Sequence, residues 1–324
     1  MPRYAPANSL ESPRFTGVRT FMRLPFVQTT SEVDFAIVGL PFDTGATWRV
    51  GTRFGPEAIR SQSSILRPYH PVLDVNIFDH LSGVDYGDAA VVPGFIEHSY
   101  ERIEEFLRPL HEAGVIPIGL GGDHSIVLAE LRAAARKHGP LGLVQFDAHG
   151  DVWDSYFGHL YTHGTPIRRA MEEGLLDGSR VIQVGMRGPL YDPHDIQQAR
   201  DFGFDVLTAD DVRALGIPAV CETIRRKVGS GPAFLSFDID FFDPAYAPGT
   251  GTPEVGGFTS AEGQQLLRGL GGASGKPTAI DFVAFDVVEV LPAYDNAGGI
   301  TALLGANVAW EMIALMAQRR KLKR

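Results

Sequence analysis

The sequence predicts a single α/β domain, a three-layer α/β/α stack around a mainly parallel sheet of about eight strands. Three observations lead there. From residue 33 onward, apolar runs alternate with helix-patterned stretches, the order that builds a parallel sheet covered on both faces. Neither an internal repeat nor a linker-like shift in composition interrupts the alternation. Carboxylates and imidazoles gather where the apolar runs end, and sheets of this kind bind ligands beyond the carboxyl ends of their strands.

Composition sets outer limits. A chain of 324 residues, 44% hydrophobic and 21% charged, is ordinary for a globular protein and long enough for a sizeable core. Its net charge of −10 argues against nucleic-acid and anionic-membrane partners. A lone cysteine, Cys221, excludes an internal disulfide and suits a reducing compartment. No run of 18 apolar residues suggests a membrane span. Residues 1–13 lack the apolar stretch of a secretory signal, so a cytoplasmic protein is expected.

Taken in order, residues 1–32 read as an irregular N-terminal arm, broken by Pro2, Pro6, Pro13 and Pro25. Phe15, Phe21, Met22, Leu24 and Phe26 suit docking on the body or on a neighbouring subunit. Residues 33–324 form the domain. Strands are expected to begin near Phe35, Val84, Val115, Leu141, Val181, Val206, Phe234 and Phe282. Helices are expected over 56–66, 95–113, 125–138, 165–173, 260–270 and 301–319.

The chemistry concentrates in LVQFDAHGD (143–151), where Asp147, His149 and Asp151 follow an apolar run at intervals of two. In extended chain such residues share a face. Two buried carboxylates there need a neutralising cation. LSFDIDFFD (235–243) repeats the pattern with Asp238 and Asp240, and IPIGLGGDHS (116–125) adds Asp123 and His124. His124, Asp147, His149, Asp151, Asp238 and Asp240 together are more ligands than one ion needs. Two divalent ions bridged by shared carboxylates fit better. Oxygen and nitrogen donors without thiolate favour Mn²⁺, with Ni²⁺, Co²⁺, Zn²⁺ or Fe²⁺ compatible.

GGDHS (121–125), DAHGD (147–151) and SFDIDFFDPAYAPGTGTPE (236–254) resemble the signatures of the ureohydrolase family, which includes arginase, agmatinase, guanidinobutyrase and proclavaminate amidinohydrolase. The resemblance continues through FMRLP (21–25), GTRFGPEAIR (51–60), HGTPIRRA (163–170) and DVVEVLPAYD (286–295), and so spans nearly the whole chain. FMRLP and GTGTPE look more like the agmatinase and guanidino-acid branch than like arginase itself. One departure is Gly150, where relatives often carry Ser, Thr or Ala.

The resemblance implies an arginase-like fold and urea-releasing hydrolysis of a small guanidino substrate. It implies one metal on His124, Asp147, Asp151 and Asp238, and a second on His149, Asp147, Asp238 and Asp240. Glu289 would hold the guanidinium, and Asp286 would support the site from behind. His163, in the HGTP motif, would return a proton to the leaving amine, and its near-neutral reference pKa suits that. Asp240 would take a proton from the attacking oxygen. A homotrimer or homohexamer is implied as well.

The loop 152–162, with Trp153, Asp154, Tyr156, Phe157, His159 and Tyr161, is expected to line the mouth of the site. Thr165 and Pro166 suit a helix start just after His163. Arg168 and Arg169 read first as a surface charge pair, and Arg187 as a rim residue. Agmatine is the expected substrate, with Asp154 or Asp192 meeting its distal ammonium. A guanidino acid such as 4-guanidinobutyrate, or free guanidine, is the alternative. A dinuclear phosphoesterase is disfavoured because no basic patch surrounds the motifs. A one-metal deacetylase and a non-catalytic metal-stabilised binding protein are further rivals, separable by metal counting and a urea assay.

Overall fold

Eight parallel strands form one sheet in the computed structural model, which describes residues 2–271 and 280–322. They are β1 (Phe35–Leu40), β4 (Gly83–Asp88), β5 (Ile116–Gly121), β6 (Leu141–Phe146), β7 (Leu176–Met186), β8 (Asp205–Thr208), β9 (Pro232–Asp238) and β10 (Asp281–Val288). A small antiparallel pair, β2 (Tyr69–His70) and β3 (Val75–Asn76), lies outside the sheet and was not foreseen. Each sheet strand begins within a few residues of its expected start. β7 is the outlier, entering at Leu176 rather than Val181 because Leu176 already pairs with Leu141 of β6 before the register shifts and resumes at Val181 with Leu143.

The strand order is β4-β1-β5-β10-β9-β6-β7-β8. Every neighbouring pair is parallel. The chain therefore leaves β5, skips two positions to β6, and later fills the gap with β9 and β10. The four central strands, β5, β10, β9 and β6, thus come from two separate parts of the sequence, β5 with β6 and β9 with β10. Their carboxyl ends converge on one spot.

Helices cover both faces. One face carries α1 (Gly55–Ser63), α7 (Ile217–Val228), α8 (Ser260–Gly269) and α9 (Ile300–Leu322), packed on Ile118, Val144, Leu235 and Phe285. The other carries α2 (Ile96–Ala113), α3 (Val127–His138) and α4 (Pro166–Glu172), packed on Val38, Leu143 and Phe234. The short helices α5 (His194–Asp201) and α6 (Ala209–Leu215) complete the layers. Helices α5, α6 and α7 were missed in the sequence. α5 is mostly polar, and Gly216 with Pro218 reads as a break, although Gly216 merely turns the chain from α6 into α7 at φ 78°.

α9 is long and apolar enough to cross a membrane by length and composition, yet 78% of its apolar window is buried inside the fold. It is a core helix. The arm docks in its second half: Phe21, Met22 and Leu24 are buried. Phe21 N–H donates to Asp85, and Met22 N–H to Ser63. Arg60 of the GPEAIR stretch holds the same Asp85 carboxylate through two bonds of 2.8 and 2.9 Å, a bidentate pair that fixes α1 against β4. Phe15 and Phe26 stay exposed.

Candidate metal centre

The backbone just past the central strands positions the site. β5 delivers His124, β6 delivers Asp147, β9 delivers Asp238 and β10 delivers Glu289. Gly122 allows the β5 turn to be this tight, since a Cβ there would lie 2.3 Å from the Phe42 carbonyl oxygen. Asp151 and Glu289 adopt left-handed backbone, at φ 52° and 62°. Non-glycine residues in that region cost roughly 1–2 kcal/mol each, and such strain is tolerated mostly where side-chain aim matters. Behind Asp240, Phe241 stacks on Phe258 with centroids 4.4 Å apart, pinning the turn.

The structure gathers all six metal-type residues into two abutting clusters. His124 Nδ1 lies 2.8 Å from Asp151 Oδ2, 3.1 Å from Asp147 Oδ2 and 3.4 Å from Asp238 Oδ2. His149 Nδ1 lies 3.0 Å from Asp240 Oδ2 and 3.6 Å from Asp147 Oδ1. Asp147 thus turns one oxygen to each cluster. Ligand atoms of His124, Asp147 and Asp151, and those of Asp147, His149 and Asp240, each fall within 4.8 Å of one another. Among the described residues, His124 Nδ1 and Asp240 Oδ2 are buried without a partner in hydrogen-bonding geometry.

The electrostatics ask for cations. Burial pushes Asp238 well above the ordinary carboxylate range, and the neighbouring Asp240 and Asp147 push it further. Burial likewise raises Asp151 and Asp240. Burial would lower His124 and His149, but Asp151 lifts the first and Asp240 the second, each well above the usual imidazole value. Asp147 resists burial because hydrogen bonds with His124 and His149 hold it below the usual carboxylate range. Protons here do the work that divalent cations would do better. The donor set of imidazole and carboxylate fits two such ions.

A polar row across the sheet supports the ligands; Asp286 was expected behind the site, whereas Ser236, Gln145 and Gln183 were not. Gly119, Asp286, Ser236, Gln145 and Gln183 are successive register partners on β5, β10, β9, β6 and β7. Gln145 Nε2 donates to Asp147 Oδ2 at 2.8 Å, and Gln183 Nε2 to Gln145 Oε1 at 2.8 Å. Ser236 Oγ lies 2.8 Å from His124 Nε2 and donates to Asp286 Oδ1 at 2.8 Å. Such partners orient metal ligands. The available signal was a lone amide inside each apolar strand, LVQF and VIQV.

Glu289 is buried beside the first cluster. Its Oε1 accepts from His124 N–H at 3.0 Å and contacts His163 Nδ1 at 2.9 Å, while Oε2 has no partner. His163 Nε2 meets Thr47 N–H at 3.1 Å and Thr47 Oγ1 at 2.8 Å. An amide N–H can only donate, so Nε2 carries a lone pair and Nδ1 the proton that faces Glu289. Burial lowers the His163 pKa, but the Glu289 hydrogen bond and charge outweigh it, leaving it raised.

A cavity of about 300 Å³ opens onto these groups. His124, His149, Asp151, Asp238 and His163 form its floor, and Trp48, Trp153, Tyr156 and Tyr191 its walls. Glu254 is the wall's carboxylate. The aromatic loop contributes Trp153 and Tyr156, whereas Phe157 is exposed and Tyr161 packs on Tyr100. Asp154 and Asp192 are not brought in. Asp154 is paired with Arg169 at 2.8 Å and Arg168 at 3.3 Å, and Asp192 holds His194. Arg168 and Arg169 also pair with Glu172. Arg187 ties the carbonyls of Asp240, Phe242 and Glu254 together. Thr165 is not a side-chain helix cap; its hydroxyl instead ties Leu160 and Thr162.

The sequence pattern of the arginase family matches residues 33–314. The guanidinopropionase of Pseudomonas aeruginosa is 47% identical, over 97% of this chain and 96% of its own length. The guanidinobutyrase of the same organism is 44% identical, over 97% of each chain. Among solved structures, proclavaminate amidinohydrolase from Streptomyces clavuligerus superimposes with a TM-score of 0.89 at 40% identity, over 95% of this chain and 100% of that one.

Proposed function

Because the chain belongs to the arginase family, we propose that it hydrolyses a linear guanidino compound to urea and an amine at a two-metal centre. The observation that carries the reading is the pair of clusters sharing Asp147, faced by the unpartnered Oε2 of Glu289. His124, Asp147, Asp151 and Asp238 would hold one ion, and His149, Asp147, Asp238 and Asp240 the other. Mn²⁺ suits this donor set. Divalent ions there supply Lewis acidity, making water a nucleophile at neutral pH.

The chain's own groups do the rest. Glu289 Oε2 accepts N–H donors of the planar substrate cation, a charge-assisted contact in a buried site. That fixes the guanidinium carbon over the clusters. Asp240, whose Oδ2 lacks a hydrogen-bond partner, takes a proton from the attacking oxygen. His163 delivers one to the departing nitrogen. The balance is guanidinium plus water giving urea plus ammonium, with the C–N bond broken and one C–O bond formed.

The far end of the substrate is best read as a carboxylate. Asp154 and Asp192, expected to hold an ammonium, are committed to Arg169 and His194. The names of the two Pseudomonas relatives denote guanidino acids. In the wall, the Tyr156 and Tyr191 hydroxyls lie 2.8 Å apart. One donates to the other, so one O–H remains for an acceptor. Agmatine stays the rival because Glu254 offers a carboxylate to an ammonium. Urea release from 3-guanidinopropionate, 4-guanidinobutyrate, agmatine and guanidine decides. A clear kcat/KM advantage for agmatine overturns the acid reading, and no urea from any of them overturns the hydrolase reading.

A further inference from the structure

One buried carboxyl behind the centre has no part in the chemistry above. Glu130 projects from α3 and is 2% exposed. Its neighbours on the buried face of α3 are Val127, Leu128, Leu131 and Ala134. The carboxyl lies against the backbone of β5 at Gly119. A Cβ there would come within 2.4 Å of Glu130 Oε1 and 3.3 Å of the Asp286 Cβ. Gly119 and Asp286 are register partners, so the Glu130 carboxyl and the Asp286 side chain meet over the same spot on β5.

Among the described residues, Glu130 Oε2 and Asp286 Oδ2 are both buried without a donor. Two ionised carboxylates cannot share such a place. One proton between them removes the repulsion and gives each orphaned oxygen a partner. Asp286 Oδ1 already accepts from Ser236 Oγ and Phe237 N–H, which favours its ionised form and leaves the proton to Glu130. Burial, then the charge of Asp286, raises Glu130 well above the ordinary carboxylate range, and burial raises Asp286 as well.

The consequence reaches the metal ligands. Asp286 Oδ1 accepts from Ser236 Oγ at 2.8 Å and from Phe237 N–H at 3.1 Å. While Asp286 is only an acceptor, Ser236 spends its proton on it. The Ser236 oxygen must then accept from His124 Nε2, 2.8 Å away. That tautomer leaves the lone pair on Nδ1, aimed at Asp147, Asp151 and Asp238. We propose that Glu130 is a positioning residue whose protonated carboxyl donates to Asp286, keeping Asp286 an acceptor and so holding His124 in its metal-binding tautomer through Ser236.

This rests on the two-metal reading for its benefit but not for its first link. The test compares wild type with Glu130→Gln and Glu130→Leu. The amide of Gln can still donate to Asp286; Leu restores bulk alone. Mn²⁺ titration should give Glu130→Gln an affinity close to wild type, and Glu130→Leu an affinity roughly 10- to 100-fold weaker. Infrared spectra at neutral pH should show a protonated carboxyl band that both variants lack. Equal Mn²⁺ affinity in the two variants, or an unchanged band in Glu130→Gln, overturns the proposal. If Glu130→Leu does not fold, the band in wild type against Glu130→Gln still decides it. If wild type itself binds no Mn²⁺, the two-metal reading fails, while the band separately decides the Glu130–Asp286 contact.

Discussion

Glu289→Gln separates the substrate-binding role of this side chain from metal binding. The substitution keeps shape and size. Oε1 as an amide oxygen can still accept from His124 N–H and His163 Nδ1–H, bonds of 3.0 and 2.9 Å. What changes is the unpartnered Oε2, which becomes an NH₂ group. A guanidinium carries only donors, so donor would face donor where an ion pair is expected. Removing one partner of a buried, hydrogen-bonded charge pair costs about 2–5 kcal/mol. Taking the middle of that range, kcat/KM should fall roughly 10²- to 10³-fold. Two further readouts accompany it. Metal content should stay at wild-type level, because Glu289 belongs to neither ligand cluster. The pKa of His163 should drop, since Glu289 is what lifts it against burial. An acid with a lower pKa loses its proton sooner, so the alkaline limb of kcat should move to lower pH. Urea release across pH, with metal measured on the same samples, reads all three. Activity within tenfold of wild type with metal intact refutes the assignment.

Other substitutions probe the remaining parts. Asp147→Ala and Asp238→Ala should be the most damaging ligand changes for metal content, since both residues serve the two proposed ions; retention of two ions in either argues against bridging. His163→Ala should cut turnover roughly 10²- to 10⁴-fold with metal content unchanged, and loss of metal would recast it as a ligand. Gln145→Leu removes the donor to Asp147 Oδ2 and should weaken metal binding roughly 10- to 100-fold; wild-type affinity would leave the polar row without a role. His111 is buried with neither nitrogen bonded, and burial lowers its pKa to about 4. The unfolded chain binds that proton first, so stability should fall as pH drops from about 6.5 towards 4, by up to about 3 kcal/mol. Denaturant melts of His111→Leu should lose that part of the slope, and an unchanged slope rejects the attribution.

The eight strands and six ligand-type residues were legible because both rest on local pattern. A strand buried on both faces writes a continuous apolar run, and ligands two apart at its end share a face. What crosses the sheet was not legible. Gln145 and Gln183 meet through the β6–β7 pairing, and Ser236 and Asp286 join them beside His124 only because β9 and β10 are inserted between β5 and β6, a fact of strand order that no single window records. Glu130 lies on an otherwise apolar buried face of α3, and one carboxylate in a helix window does not show which way it points. Asp154 and Asp192 were placed at the mouth from loop position alone, and their pairing with Arg169 and His194 depends on side-chain geometry. α5 escaped because it is mostly polar, while α7 carries an apolar helical period in Val220, Cys221, Ile224 and Val228 that the Gly216 and Pro218 signals at its start obscured.

Guanidino hydrolysis by this chain should depend on two metal ions in these clusters. The most direct test is urea release from metal-stripped protein titrated with Mn²⁺, using the best of the four guanidino substrates. Activity should rise with added metal and level off as bound Mn²⁺ approaches two per chain. Full activity at one bound ion, or urea release that ignores metal, would contradict it.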